Sequence, residues 1–436
     1  MSAVTSERQP GTRPATYRSV FTVGEFRVLF LGMLTYVLGF QFEILGLSVL
    51  VYAQTHSAFL TAFAFSMGFA PQVLGGMLFT ALADRLPPRI VITAGLLVRA
   101  VPGVLIGSLP GMPVAVMLVL VAAAATITPV YSAAISGLLP DVLDGDRYVL
   151  GRSILSLLSS GTQILGLGIG GAILAVLPAR RLLLIAGLAL VLSALIRRGI
   201  RARPARAAGP VSVRGTVRAT MAGNARLFRD PRIRGLLLAQ WLPVAFSSGA
   251  ESLIVPYVGS LGKPASAAGV LLAVGPAGMM AGVWLIGRFC RPATRQRLAL
   301  PLALLTGLSW MVFLVRPPLA GCAVLMFADG FGVAYLLGLQ RPFLDSVPPE
   351  LRGQAFGLNS TGGMSGQGFS PWLTGGFASI LGPAGAMAAA GCAGIASALA
   401  LYRPLTGRLT SPLTGPLTGT DRPGSPEVPA AERLPA

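Results

Sequence analysis

The stretch LTYVLGFQFEILGLSVLVYA, from Leu34 to Ala53, contains only two strongly polar side chains, Gln41 and Glu43. A helix that crosses a bilayer needs about 20 mostly apolar residues, and this stretch is that long. It therefore predicts a membrane-spanning helix. A charged side chain near the middle of such a helix is costly to insert, so Glu43 is a candidate functional residue.

The composition of the whole chain agrees with that prediction. Of the 436 residues, 53% are hydrophobic and 11% are charged, and the mean hydropathy is +0.73. Soluble globular domains carry about 25% charged residues, which indicates a membrane protein here. The net charge of +19 comes from arginines between the apolar segments. That pattern sets orientation in a membrane and does not indicate nucleic-acid binding.

Twelve apolar runs are long enough to cross a bilayer, which predicts an all-α polytopic membrane protein with twelve transmembrane helices. The predicted spans are 28–53, 58–83, 90–108, 113–139, 150–177, 181–197, 235–258, 266–287, 298–315, 319–340, 354–380 and 383–402. The arginines between the spans lie mostly on one side, and nothing before the first span resembles a cleavable signal peptide. We therefore expect both termini in the cytoplasm.

The spans group into two bundles separated by a basic segment. The expected domains are a cytoplasmic arm (1–27), a six-helix bundle (28–197), a basic cytoplasmic linker (198–234), a second six-helix bundle (235–402) and a disordered cytoplasmic tail (403–436). In the linker, Val213, Val217 and Met221 recur at helical spacing, which predicts a short helix on the membrane surface. A solvated basic linker is the alternative. The tail's PLTGRLTSPLTGPLTG, from Pro404, has a composition typical of disorder.

Sequence similarity between the two bundles indicates an internal duplication. FRVLFLG, from Phe26, resembles IRGLLLA, from Ile233, and Glu251 then takes the place in the seventh helix that Glu43 has in the first. The two bundles are therefore expected to be pseudo-symmetric. Both carboxylates would then face one central cavity, where they could carry protons or contact a substrate.

A third intramembrane acid, Asp329, lies in MFADGFGVAY, and one intramembrane arginine, Arg99, lies in LLVRAVPG. Arg99 is a candidate charge partner for Asp329, since a charge inside a membrane faces a partner or a cavity. A position of Asp329 at a helix end, or a purely structural ion pair, is an equally good interpretation. Six more side chains could line a cavity that has polar and aromatic surface: Tyr36, Gln41, Gln240, Trp241, Ser248 and Asn359.

Several classes of protein are excluded. The chain has no G-x-x-x-x-G-K-[ST] loop, so it does not power transport by its own ATP hydrolysis. Its single histidine, His56, and its three scattered cysteines form no cluster of nucleophile and base and no metal-ligand spacing. We expect no enzyme activity, no cofactor and no metal.

Local motifs then identify a family. TALADRLPPR, from Thr80, resembles the G-x-L-A-D-R-x-G-R-R signature between the second and third helices of the major facilitator superfamily. GLGIGG, from Gly166, resembles the G-P-x-x-G-G motif of proton-driven drug antiporters, with Leu167 in place of the proline. With LLPD at Leu138 after the fourth helix, these motifs make the chain similar to bacterial drug and siderophore exporters of that superfamily.

The resemblance implies a secondary active transporter in a bacterial inner membrane, acting as a monomer. It would export a small amphipathic organic compound by proton antiport and alternating access. Asp84, Arg85 and Arg89 would form a cytoplasmic gate. The helix-packing motif would comprise Gly166, Gly170, Gly171, Gly375 and Gly376. An importer or facilitator of the same fold, or a membrane receptor or scaffold that transports nothing, is the alternative.

Overall fold

The computed structural model describes residues 16–79, 86–204, 213–348 and 351–406, and all regular structure in this part is helical. Ten helices in it are long and apolar enough to cross a membrane. The helix Arg352–Ala400 counts as two crossings, because it bends at Gly382, where φ is 69°. Another crossing is made in two pieces, Pro231–Glu251 and Ile254–Ser260. The predicted fold of twelve transmembrane helices is confirmed.

We number the crossings α1 to α12. The first half contains α1 (Gly24–Thr55), α2 (Ala58–Ser66 continued by Ala70–Phe79), α3 (Pro88–Ser108), α4 (Val114–Ala125 continued by Thr128–Val142), α5 (Gly145–Val176) and α6 (Ala179–Arg197).

The second half repeats this order. It contains α7 (Pro231–Glu251 continued by Ile254–Ser260), α8 (Ala265–Phe289), α9 (Pro292–Met311), α10 (Leu319–Gly332 continued by Leu336–Ser346), α11 (Arg352 to the bend at Gly382) and α12 (from that bend to Ala400).

Two residues separate α5 from α6. Leu177 is extended, with φ −127° and ψ 144°, and Pro178 caps the next helix. The residue before a proline is disfavoured in the α region, which ends α5 at this point.

The linker between the halves forms the helix Val213–Arg229, which leads directly into α7. Asp230 caps α7, since its carboxylate accepts hydrogen bonds from the backbone N–H groups of Arg232 and Ile233. Residues 1–15 of the expected arm and 407–436 of the expected tail lie outside the described residues.

Three clusters of buried apolar side chains show how the halves meet. The largest draws on both halves and includes Leu47 of α1 and Leu253 of α7. The other two belong to one half each: Leu29 lies in the cluster of the first half and Leu236 in that of the second. We call the end at which α1 begins and α12 ends the terminal end, and the opposite end the far end. The halves therefore share a core at the far end and keep separate cores at the terminal end.

Close contacts at the far end hold the halves together. Trp372 of α11 stacks on Phe63 of α2 at 5.2 Å between ring centroids, and its Nε1 donates to Ser66 Oγ at 2.7 Å. Gly171 of α5 lies against Gly269 of α8, and a Cβ on Gly171 would stand 3.0 Å from that backbone. The space between the halves is thus closed at the far end.

Candidate functional site

A buried ion pair joins α1 to α3 in the first half. Arg99 Nη1 donates to Glu43 Oε1 at 2.5 Å, and the two side chains are 1% and 2% exposed. The guanidinium also lies over the ring of Phe40, 5.7 Å from its centroid. The hypothesis that Arg99 pairs with Asp329 is wrong, because the arginine binds the acid of its own half.

Glycines allow α1 and α3 to pack closely on α6, which places the two helices near each other. A Cβ on Gly39 of α1 would stand 3.0 Å from the Ala186 carbonyl oxygen, and one on Gly103 of α3 would stand 2.8 Å from the Gly187 backbone nitrogen. Small residues allow helix backbones to approach this closely. Both helices therefore pack on adjoining faces of α6 at the same level, and their charged side chains meet.

The ion pair is joined by one hydrogen bond. Oε2 of Glu43 and Nε and Nη2 of Arg99 have no hydrogen-bond partner among the described residues. Removing one partner of a buried ion pair leaves an uncompensated charge, which is strongly destabilising. The pair therefore stabilises the folded half as long as it is complete.

The second half contains a different arrangement around Asp329 of α10. Ser247 Oγ of α7 lies 2.8 Å and 2.9 Å from the two carboxylate oxygens, and Trp310 Nε1 of α9 donates to Ser247 Oγ at 3.1 Å. All three side chains are buried. The described residues give Asp329 no cationic partner within ion-pair distance.

Glu251 lies one turn beyond Ser247 on α7 and is half-buried. Asp329, held by Ser247 of the same helix, is the charged group that acts on it, and no described residue gives its carboxylate a hydrogen bond. The second half therefore holds two neighbouring acids where the first half holds an acid and a base. Among the described residues, no group of three or more His, Cys, Asp or Glu side chains could hold a metal ion.

Three of the predicted cavity residues form a bridge between α7 and α11. Trp241 Nε1 donates to Asn359 Oδ1 at 3.0 Å, and Asn359 Nδ2 donates to Gln240 Oε1 at 3.1 Å. Ser248, one residue after the serine that binds Asp329, is buried. These hydrogen bonds tie the two helices together on the terminal-end side of Asp329.

The other two predicted cavity residues lie on α1. Tyr36 lines a cavity of about 410 Å³ between α1, α4 and α5, and its ring meets that of Tyr131 edge to face at 5.7 Å. Gln41 is buried against α5, since a Cβ on Gly166 would stand 3.0 Å from the Cβ of Gln41. Of the pair, only Tyr36 faces the cavity.

The predicted gate is described only in part. Asp84 and Arg85 lie outside the described residues. Arg89, near the start of α3, is exposed and lines an open groove of about 700 Å³ with Arg198 and Arg203. Any role of these residues in gating stays a prediction.

The glycines of the predicted packing motif differ in their surroundings. Gly170 lies against α1, where a Cβ would stand 3.0 Å from Leu45, and Gly375 lies against α2, where one would stand 2.9 Å from Ala62. Gly376 has no neighbouring atom within 4 Å of where its Cβ would stand. The packing role assigned to Gly376 is therefore wrong, because no helix of the described chain packs against this position.

Sequence reasoning missed two residues that the structure brings into these sites. The sequence does contain an indication for Ser247, since it precedes Glu251 by one helical turn in SSGAE and so lies on the same face of the helix. Arg197 ends an apolar run, and an arginine there only indicates orientation in the membrane. Its burial in the first half could be learned only from the folded chain.

Comparisons with known proteins agree with this architecture. Residues 29–344 match the model of the Major Facilitator Superfamily. The chain is similar to a crystal structure of peptide transporter POT in complex with sulfate, with 15% identity, a TM-score of 0.69 and coverage of 91% of this chain and 97% of that chain. It is also similar to a POT family transporter in complex with 5-aminolevulinic acid, with 14% identity, a TM-score of 0.65 and coverage of 87% and 96%. Among curated proteins, no relative matches the chain by sequence.

Proposed function

The chain belongs to the major facilitator superfamily, and on that premise we propose that it exports a small amphipathic organic compound in exchange for protons. The observation that carries the proposal is the pair of acids in the second half. Glu251 lies one helical turn from Ser247, whose hydroxyl binds Asp329, and neither acid makes an ion pair with a described residue. Acids in such a place are functional candidates by default.

Two neighbouring carboxylates repel each other when both are charged, so a shared site favours binding of at least one proton. Entry of a proton removes that repulsion, and its loss restores it. Asp329 binds α7 through Ser247 and contacts α9 through the same hydroxyl. Protonation therefore changes the contacts between three helices of one half, which is the kind of change that can bias a two-state equilibrium.

The shared core at the far end is the second support for the proposal. A transporter of this fold works by rocking two halves around a central site. With the far end closed, a compound would enter from the terminal end, which the arginine pattern predicts to be cytoplasmic. Rocking would break the far-end contacts of Trp372 with α2 and release the compound outside.

Export as the direction rests on the resemblance of Gly166–Gly171 to the antiporter motif. The fold is also that of peptide transporters of the POT family. At 15% identity, this similarity supports the fold and does not indicate which compound this chain transports. The test must therefore measure direction as well as coupling.

The experiment is proton flux in acid-loaded vesicles that contain the purified protein. Compounds from a panel of cationic, neutral and anionic antibiotics and dyes are added outside, or loaded inside, and internal pH is followed with a dye. Proton release upon outside addition identifies an antiporter, and release that requires inside loading identifies a symporter. The proteins compared are wild type, Glu251→Gln, Asp329→Asn and, as the matched control, Asp345→Asn, an exposed acid of the same half.

In wild type and in Asp345→Asn, we expect protons to be released when a compound is added outside the vesicles. In Glu251→Gln and in Asp329→Asn, this proton release should be at least tenfold lower. Equal release in all four proteins would show that the two acids are structural. Compound flux without any proton movement would identify a facilitator, and the absence of both would favour a receptor or scaffold.

A further inference from the structure

The cavity between α1, α4 and α5 has one cationic group of unusual placement. Its volume is about 410 Å³, and Tyr36, Tyr131 and Tyr148 supply much of its wall together with serines of α4 and α5. Arg197, the last residue of α6, also lines it, although its side chain is only 1% exposed. The arginine thus reaches the cavity from a helix that lies behind α1.

Arg197 reaches the cavity by passing over Gly32, where the absence of a side chain leaves room for it. A Cβ at this position of α1 would stand 2.5 Å from Arg197 Nε and 2.8 Å from its Cγ. Ser193, one turn before the arginine, donates to the Gly32 carbonyl oxygen at 2.8 Å and fixes α6 against α1 there. Any larger residue at position 32 would displace the guanidinium.

The guanidinium has few partners of its own. Nε and Nη1 have no hydrogen-bond partner in the described part of the chain, and the groups that act on its charge are the hydroxyls of Tyr36 and Tyr131. A buried charge without partners is costly, and proteins keep such groups where they bind a partner of opposite charge.

Among the described residues, the buried charged side chains of the first half are Glu43, Arg99 and Arg197, which leaves an excess of one cation. Arg99 is paired with Glu43, whereas Arg197 makes no ion pair with any described acid. A second arginine at the cavity wall, Arg152, is exposed and donates to Tyr148 Oη at 3.4 Å. Both arginines of the cavity can therefore turn donors toward a bound anion.

We infer that this cavity holds the anionic group of the transported compound, with Arg197 as its principal ligand; the inference rests on the proposed transport function. The group is a carboxylate, a phosphate or a sulfonate, because the planar guanidinium presents paired N–H donors that match such oxygens. Tyrosine rings on the walls favour an aromatic or aliphatic body attached to it.

The test measures binding, so that it does not depend on transport. Full-length protein in nanodiscs of neutral phosphatidylcholine is titrated with dansylglycine, which carries a carboxylate, and with dansylglycinamide, its neutral counterpart. Fluorescence in empty nanodiscs is subtracted. The proteins are wild type, Arg197→Gln, Gly32→Ala and, as the matched control, Arg198→Gln, which removes the neighbouring exposed charge.

We expect wild type and Arg198→Gln to bind the acid at least tenfold more tightly than the amide. Arg197→Gln should lose this preference and still bind the amide, which shows that the variant is folded. Gly32→Ala should weaken binding of the acid several-fold, because the new methyl group displaces the guanidinium. This variant leaves every charged residue of the protein in place. Inorganic phosphate should compete with the acid in wild type and not with the amide.

The inference is overturned if wild type does not prefer the acid, or if Arg197→Gln keeps the preference. These outcomes are distinct from failure of the proposed transport function. If wild type prefers the acid to the amide but shows no compound-driven proton flux, the protein has an anion site and is not an antiporter. If it shows proton flux without preferring the acid, it is an antiporter whose transported compound does not bind through an anionic group.

Discussion

The two halves of this transporter place acids at corresponding positions and surround them differently. In the first half, Glu43 of α1 binds Arg99 of α3, so the acid is neutralised inside its own bundle. In the second half, Asp329 of α10 is bound by the neutral Ser247 of α7, one turn before Glu251, and no described cation neutralises either acid. Among the described residues, the interior of the first half is therefore cationic, once Arg197 is counted, and that of the second half is anionic.

This difference indicates a division of labour within a duplicated fold. A neutralised pair fixes two helices, whereas two unneutralised acids can bind and release protons. The cationic half is suited to an anionic group of the cargo and the anionic half to protons. Four experiments test this contrast and the contact between the halves, from the largest expected effect on the folded state to the smallest.

Breaking the ion pair should give the largest effect. Glu43→Gln or Arg99→Gln leaves one buried charge without its partner, which typically costs about 3–5 kcal/mol. The double variant should recover much of that loss, because it removes both charges. The measurement is the free energy of unfolding in bicelles, with Arg89→Gln, an exposed arginine of the same helix, as control. A double variant as unstable as the singles would mean that the two side chains do not stabilise each other.

Loosening the far end should have the next largest effect. In Gly269→Ala the new Cβ would overlap with the backbone of Gly171, and overpacking costs about 1–3 kcal/mol. The halves should separate there, which lengthens the distance between spin labels at Gln54 and Ser260. The control is Gly376→Ala, where open space surrounds the position. Equal label distances in both variants would show that this contact does not hold the halves closed.

Removing the hydroxyl between Asp329 and Trp310 tests the anionic half. Ser247→Ala leaves two buried polar groups without their partner, at a cost of about 1–3 kcal/mol. Ser309→Ala is the control, since Ser309 is also buried but donates only to a carbonyl of its own helix. The free energy of unfolding, measured in bicelles, should be lower for Ser247→Ala than for Ser309→Ala. If they are equally stable, the hydroxyl of Ser247 contributes nothing to the position of Asp329.

Glu251→Gln should change stability by less than about 1 kcal/mol. The carboxylate has no hydrogen bond to lose among the described residues, and the amide removes the repulsion from Asp329. The same substitution at Glu43 should be strongly destabilising, so the two unfolding energies compare the halves directly. A loss near that of Glu43→Gln would mean that Glu251 also has a partner, and the contrast between the halves would fail.

Much of the architecture could be predicted, because hydropathy alone limits how such a chain can fold. Twelve apolar runs require twelve helices, since a backbone inside lipid must satisfy its own hydrogen bonds. The duplication then predicted that Glu43 and Glu251 take corresponding places in α1 and α7. Their functional roles stay predictions, as does the gate at Asp84 and Arg85, which lie outside the described residues.

The partners of these residues could not be predicted in the same way. The sequence makes Arg99 a candidate partner of Asp329, because both are charges inside the membrane, yet in the structure Arg99 binds Glu43. Their meeting depends on how α1 and α3 both pack on α6 through Gly39 and Gly103. Sequence spacing contains no information about such contacts between distant segments.

The sequence by itself determined the number of crossings, the two-fold repeat and the presence of acids in the membrane, because each follows from local composition and from the cost of placing charge in lipid. Only the tertiary structure decided which acid is neutralised and that Arg197 enters a cavity past Gly32. Side-chain partners depend on distances between helices that are far apart in the chain, and those distances are set by packing.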